Sequence, residues 1–229
     1  MTLEVCIDSY KGAELARRFG AKRVELCSAL SVGGLTPSIG LVAECAEVAE
    51  VHAMLRHREG DFVYSPREIE IMLDDIDFLA NAGASGVVFG CLTENKAIDL
   101  NANAELIKEA KILGLETTFH RAFDFSKNPK ESLNKLIDLG FDRLLTSGQK
   151  PRAIDGIDLI SDLVAWANGR MEIMAGSGVN ATNALMLANV GVDALHFTSH
   201  ISQETKDSFG MGLKTISDTN KIKSIAKLF

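Results

Sequence analysis

Four times along the chain a glycine precedes a short aliphatic run: Gly20 before AKRVEL, Gly83 before ASGVVF, Gly140 before FDRLLT and Gly191 before VDALHF. Glycine just past the end of a helix supplies the left-handed cap that other residues adopt at a cost. Aliphatic and β-branched runs are what parallel strands need when both faces are buried. Each copy therefore reads as a helix handing over to a buried strand. Four more apolar runs lie between the copies: LEVCI (3–7), VHAMLR (51–56), ETTFH (116–120) and MEIM (171–174). Together they predict eight strands.

The segments between the runs read as helices, and their starts are well signalled. Ser65-Pro66-Arg67-Glu68 offers a capping serine, a proline in the first turn and a glutamate three residues after the cap. Asn128-Pro129-Lys130-Glu131 repeats the pattern with asparagine, and Thr36-Pro37 is a weaker version. From about Ser217 the tail predicts a last helix with Ile222, Ile225, Ala226 and Phe229 on one face.

Eight β–α units in 229 residues predict one α/β domain over residues 1–229, a (β/α)8 barrel of the TIM type. The alternative is a doubly wound open sheet. Side-chain parity favours the barrel. One face of the strands carries Glu4, Cys6 and Asp8, then Glu25 and Cys27, Met54 and Arg56, Thr118 and His120, and His196 and Thr198. An open sheet covered by helices would bury these charges unpaired at large cost. A barrel lets them point inward and pair near its C-terminal mouth. The longest connections, SALSVGGLTPS, HREGDFVYS and CLTENKAIDLN, follow strands 2, 3 and 4 and lie at the face where barrel enzymes keep their sites.

Composition narrows the partners. A net charge of −7 gives no footprint for nucleic acid or an anionic membrane surface. No apolar run is long enough to span a membrane. The N-terminus, MTLEVCIDSY, lacks the features of a signal peptide, so a cytoplasmic protein is expected. The cysteines at 6, 27, 45 and 91 form no CxxC pair, which predicts free thiols rather than a structural zinc site. A homodimer is the expected assembly.

The candidate site gathers at the strand ends. In TTFHRAFD (117–124) His120 has inward parity, and Arg121 and Asp124 follow it into the loop. The last two serve the site or pair with each other across the turn. Glu4 and Glu25, with His120, are candidates for acid–base work, because neighbouring carboxyls in a barrel can have their pKa values pushed apart. Arg56, Arg58 and His120 are their expected partners, and a purely structural salt-bridge layer is the alternative. Cys6 and Cys27 share inward parity, with Met54 near them and Cys91 also expected at the mouth. Such soft ligands suit Cu(I), although buried cysteines usually just pack. Cys45 belongs to a helix and to the core. Gly176, Ser177, Gly178 and Ser199 follow strands 7 and 8, where barrels often bind phosphate. With Arg56, Arg58, Arg121 and Asp124 they form the expected binding set for a small anion. No inward lysine lies near the mouth, and no HxH, HExxH or GxSxG occurs, which argues against Schiff-base aldolases, zinc hydrolases and serine hydrolases.

EVCIDS, RVELCSALSVGGLTPSIG, REGDFVYS, IDL, TFHRAFD, RLLTSG and GSGV occur in this order, and together they resemble the copper homeostasis protein CutC family from residue 3 to about residue 200. The resemblance implies the same barrel fold. It also implies copper homeostasis as the role and Cu(I) as ligand, held by cysteines at the mouth that match Cys6 and Cys27. Where the family usually reads IRPR, this chain reads LRHR, so His57 replaces a proline. Two expectations result: a Cu(I)-binding protein, or a barrel enzyme of lyase or isomerase type acting on a small anionic metabolite, phosphorylated ones included.

Overall fold

The structure, a computed structural model, describes residues 1–203 and 214–229. Eight parallel strands close into a barrel in chain order: β1 (Thr2–Ile7), β2 (Arg23–Leu26), β3 (Glu50–Met54), β4 (Gly86–Phe89), β5 (Glu116–Phe119), β6 (Arg143–Thr146), β7 (Glu172–Ala175) and β8 (Ala194–Thr198). Helices α1 (Tyr10–Arg18), α2 (Ile39–Ala46), α3 (Pro66–Asn81), α4 (Leu100–Ile112), α5 (Pro129–Leu139), α6 (Ile157–Ala167) and α7 (Ala184–Asn189) alternate with them, and α8 (Thr219–Ala226) ends the chain. The (β/α)8 expectation holds. Gly20, Gly83, Gly140 and Gly191 all take positive φ, between 85° and 93°, as the repeat predicted.

The helix starts are built as read, with one shift. Ser65 and Glu68 form a reciprocal capping box on α3, and the Asn128 side chain accepts from the Glu131 N–H at α5. At α2 the cap is Ser38, not Thr36; the Thr36 Oγ1 instead accepts from the Arg56 N–H at 2.9 Å. The last helix buries Ile222 and Ile225, but Phe229 lies beyond its end and is exposed. Between β8 and α8 an antiparallel pair, β9 (His200–Gln203) and β10 (Lys214–Ser217), was not anticipated. Among the described residues no helix is long and apolar enough to cross a membrane.

Strand alternation divides the interior into two chemistries. The outward set, including Val5, Ile7, Val24, Leu26, Val51, Phe89, Phe119 and Leu144, packs under the helices as one apolar core. The inward set is polar. At its lower end Arg23 donates to Glu4 and to Glu172, both at 2.5 Å. Arg143 continues the chain, 3.3 Å from Glu172 and 2.7 Å from Glu116. His52, fully buried, accepts from Arg143 at 3.2 Å. This layer of paired charges closes the barrel below the mouth.

Candidate functional site

The strand registers assemble the floor of the mouth. β1 against β2 sets Cys6 beside Glu25, and β1 against β8 sets Glu4 beside His196. His196 Nδ1 lies 2.8 Å from Glu4 Oε1, and its Nε2 lies 3.6 Å from Glu25 Oε2. Donor atoms of Cys6, Glu25 and His196 all fall within 4.8 Å of one another. The Cys27 thiol donates to Glu25 Oε2 at 3.5 Å, while Glu25 Oε1 is buried with no hydrogen-bond partner among the described residues. The expected partners of Glu4 and Glu25 were Arg56, Arg58 and His120. Their actual partners are Arg23 and His196, which register sets level with Glu4, and Cys27, two residues on from Glu25.

Burial and neighbours drive the charge states of this floor apart. Burial opposes the charge on Glu4, yet the hydrogen bond and charge of His196, with Arg23, hold its carboxyl well below the usual range. Burial alone would discharge His196, but Glu25, Cys6 and Glu4 together raise its pKa well above that of free imidazole. The neighbouring Cys27 side chain brings the Cys6 thiol down to about 5 against its burial, and His196 adds to the effect. Burial pushes Glu25 well up, and the neighbouring Cys6, with burial, pushes the Cys27 thiol well up. The floor thus favours charge on Glu4, His196 and Cys6 and disfavours it on Glu25.

Above the floor opens a cavity of about 460 Å3 lined by Cys6, Glu25, Arg56, His120, Arg121 and His196, among others. His120 ends β5, and its Nδ1 accepts from the Ala122 N–H at 3.3 Å. That bond puts the ring proton on Nε2, which is buried and has no partner among the described residues. Burial, with Arg56 nearby, pushes the pKa of His120 down to about 3. Burial thus favours the neutral side chain, whose Nε2–H is the unpartnered group. In 15N-resolved spectra its ring is expected to remain the neutral Nε2–H form from pH 8 to pH 5; an imidazolium by pH 6 would contradict this. Because the folded value lies below the ordinary 6.5, the neutral ring supports folding above 6.5, and that support fades as pH falls toward 3.

The binding set separates into three groups. Arg56 donates to the carbonyls of Val32, Gly34 and Gly60 at 2.9–3.1 Å, tying the loops after β2 and β3 together while its charge faces the cavity. Arg121, Ser177 and Gly178 also line the cavity, the last two at φ of 81° and 70°. Among the described hydrogen bonds no acceptor takes the N–H groups of Ser177, Gly178 or Val179. Asp124 does what the plainer alternative expected of it: it pairs with Arg121 at 2.9 Å and accepts from the Ser147 and Gln149 N–H groups at 3.1 Å, holding the loop after β6.

Other expected residues lie off the cavity wall. Arg58 turns outward to Glu68 at 2.6 Å and Asp61 at 3.1 Å, and His57 joins it 3.2 Å from the same Glu68 carboxylate. Gly176 underlies the site, since a Cβ there would stand 2.5 Å from Leu145 and 3.2 Å from His196. Ser199 is fully buried and contributes nothing to the wall. Cys91 was expected at the mouth but packs in the outer core, its backbone held by Asn103 and its thiol pushed up by burial. Cys45 is core, as read. Parity had turned His196 inward; its bond to Glu4 across the β1–β8 seam joins residues 192 apart, so spacing carried no signal of it.

Comparison with known proteins bears on the whole chain. Residues 1–201 match a family model, the CutC family. A CutC family protein of Pasteurella multocida is 47% identical over 201 residues, covering 86% of this chain and 82% of that protein. One from Glaesserella parasuis is 43% identical and covers 99% of this chain and 98% of its own. A crystal structure of a CutC protein from Streptococcus agalactiae, which carries a copper homeostasis name, superposes with a TM-score of 0.80 at 36% identity, covering 86% of this chain and 98% of that one. A thiamine phosphate pyrophosphorylase from Pyrococcus furiosus, at TM-score 0.62 and 14% identity, shares the fold alone.

Proposed function

The chain belongs to the CutC family, and on that premise we propose that it is an enzyme moving a proton on a small anionic carbonyl metabolite. One observation carries this reading: a buried carboxyl with a free oxygen, Glu25, shares a cavity floor with the Cys6 thiol and the His196 imidazole. An acid and a base whose pKa values are driven apart are what proton transfer beside a carbonyl needs. The Cys6 thiolate takes a proton from the carbon next to the carbonyl. Glu25 gives its proton to the carbonyl oxygen, and an enol results. His196 keeps the thiolate charged before the step and remains protonated. His120 Nε2–H and Arg121 hold substrate oxygens, with the free N–H groups of residues 177–179 at the anionic end. A cytoplasmic location suits the reading, because a thiolate persists in a reducing compartment.

The test is hydrogen exchange. A panel of small keto acids and sugar phosphates would be incubated with the protein in D2O and followed by NMR. Wild type is expected to exchange the hydrogen beside the carbonyl of at least one member. Glu25→Gln should retain the fold and lose the exchange. No exchange across the panel, with no member raising the melting temperature, would sink the enzyme reading.

A second reading rests on a different observation. Cys6, Cys27 and Met54 pack in one buried cluster beside His196, and such soft donors suit Cu(I). Copper homeostasis is also the role that the name of the Streptococcus agalactiae protein gives to that relative. Copper would then be cargo, held by Cys6 and Cys27 at the floor of the mouth. Stoichiometric Cu(I) binding in an anaerobic competition titration, abolished by the Cys6→Ser/Cys27→Ser double variant, would favour it. The cavity, at about 460 Å3, is far larger than one metal ion fills, which is why the enzyme reading comes first.

A further inference from the structure

A second cavity, of about 520 Å3, adjoins the mouth and takes no part in the chemistry above. It shares Gly60, Phe62 and Phe125 with the first, so the two are halves of one trough divided by an aromatic ridge. The Phe62 and Phe125 rings are 5.7 Å apart and tilted by 50°. Phe62 is fixed from behind, its ring edge-on to His120 at 4.9 Å and under the Arg56 guanidinium at 5.2 Å. Phe125 is not fixed in this way, and 56% of it is exposed at the rim. Burying such a ring is a large gain left unclaimed in the chain itself.

The outer half is built rather than incidental. The Leu92 N–H donates to the Phe62 carbonyl at 2.8 Å, and the Thr93 N–H donates to that of Ala97 at 2.9 Å. Lys96, in the left-handed region at φ 59°, gives its carbonyl to the Lys127 N–H at 3.2 Å. These bonds lock the loops after β3, β4 and β5 to one another. Its wall combines Val63 and Leu92 with Asp61, Thr93, Glu94 and Lys96. Apolar faces with a few polar groups among them suit a flat ring that bears heteroatoms. The anion-holding groups at residues 177–179 follow β7, across the mouth from this half.

We propose that the outer cavity is a second subsite that takes a planar aromatic ring, stacked on Phe125, of a ligand whose anionic end lies in the barrel mouth. The substrate class then narrows from any small anion to an elongated one, an acidic group joined to an aryl or heteroaryl ring. The proposal rests on the anion reading of the mouth for the ligand's other end, and on the trough alone for the ring.

Three probes test it in the full chain by ligand-observed NMR titration: inorganic phosphate, 1-naphthyl phosphate and uncharged 2-naphthol. Naphthyl phosphate is expected to bind at least about tenfold more tightly than phosphate, in line with base–aromatic stacking. Phe125→Ala, an exposed position where folding is not at risk, should remove that advantage and leave phosphate unchanged. Phosphate failing to bind while naphthol binds in a Phe125-dependent way would sustain the subsite and sink the anion reading. If neither aryl probe binds in a Phe125-dependent way, the subsite is overturned whatever phosphate does.

Discussion

Arg23→Ala is expected to destabilise the protein by about 3–5 kcal/mol, the usual cost of removing one partner of a buried ion pair. Arg23 is 1% exposed and bonds two carboxylates at 2.5 Å, Glu4 from β1 and Glu172 from β7. Without it Glu172 keeps Arg143 at 3.3 Å, but Glu4 is left with His196 alone. Lysine would not substitute, since one ammonium lacks the fork that reaches both acids. A urea melt measures the loss. Arg23→Met combined with Glu4→Gln should recover part of it, because the fully buried Glu4 carboxylate is then gone and Glu172 keeps Arg143. A cost below about 1 kcal/mol for Arg23→Ala would mean that the layer is solvated and that the closed floor is misread.

The same layer marks the limit of what the sequence discloses. Glycine punctuation and aliphatic runs are local signals, and they gave eight strands in the right places. Parity is local too, and it turned Glu4, Cys6, Glu25, Cys27 and His196 toward one another's side of the sheet. Partner choice is different, because it depends on the stagger between strands far apart in the chain. Glu4 meets Arg23 and His196 only because β1 lies between β2 and β8 in one register. Arg56 and Arg58 were natural partners by type, but backbone carbonyls capture the first and Glu68 on α3 captures the second. Cys91 was misjudged for a local reason: it follows β4 by two residues with the parity of Phe89, so its side chain enters the outer core, where Asn103 clamps the backbone.

Cys6 is expected to titrate as a thiolate with a midpoint near 5, read as thiolate absorbance at 240 nm in wild type minus Cys6→Ser. An ordinary thiol titrates near 8.5. Cys27→Ala and His196→Gln should each move the midpoint up, since both side chains lower it. The sign for stability follows from the direction of each shift. The Cys6 value falls on folding, so its contribution is complete above the ordinary thiol range and is lost as pH falls through about 5. The His196 value rises on folding, so its contribution is complete below 6.5 and is lost as pH rises through the elevated value. The thiolate–imidazolium pair therefore exists only between those limits, a window that includes neutral pH. A wild-type midpoint above 8 would remove the base from the proposed proton transfer. The titration also bears on copper. A metal held by Cys6 and Cys27 displaces the protons its ligands carry. With Cys6 already ionised, Cu(I) uptake at pH 7 should release about one proton, from Cys27. Release of two would place an ordinary thiol at Cys6 and count against the enzyme reading as well.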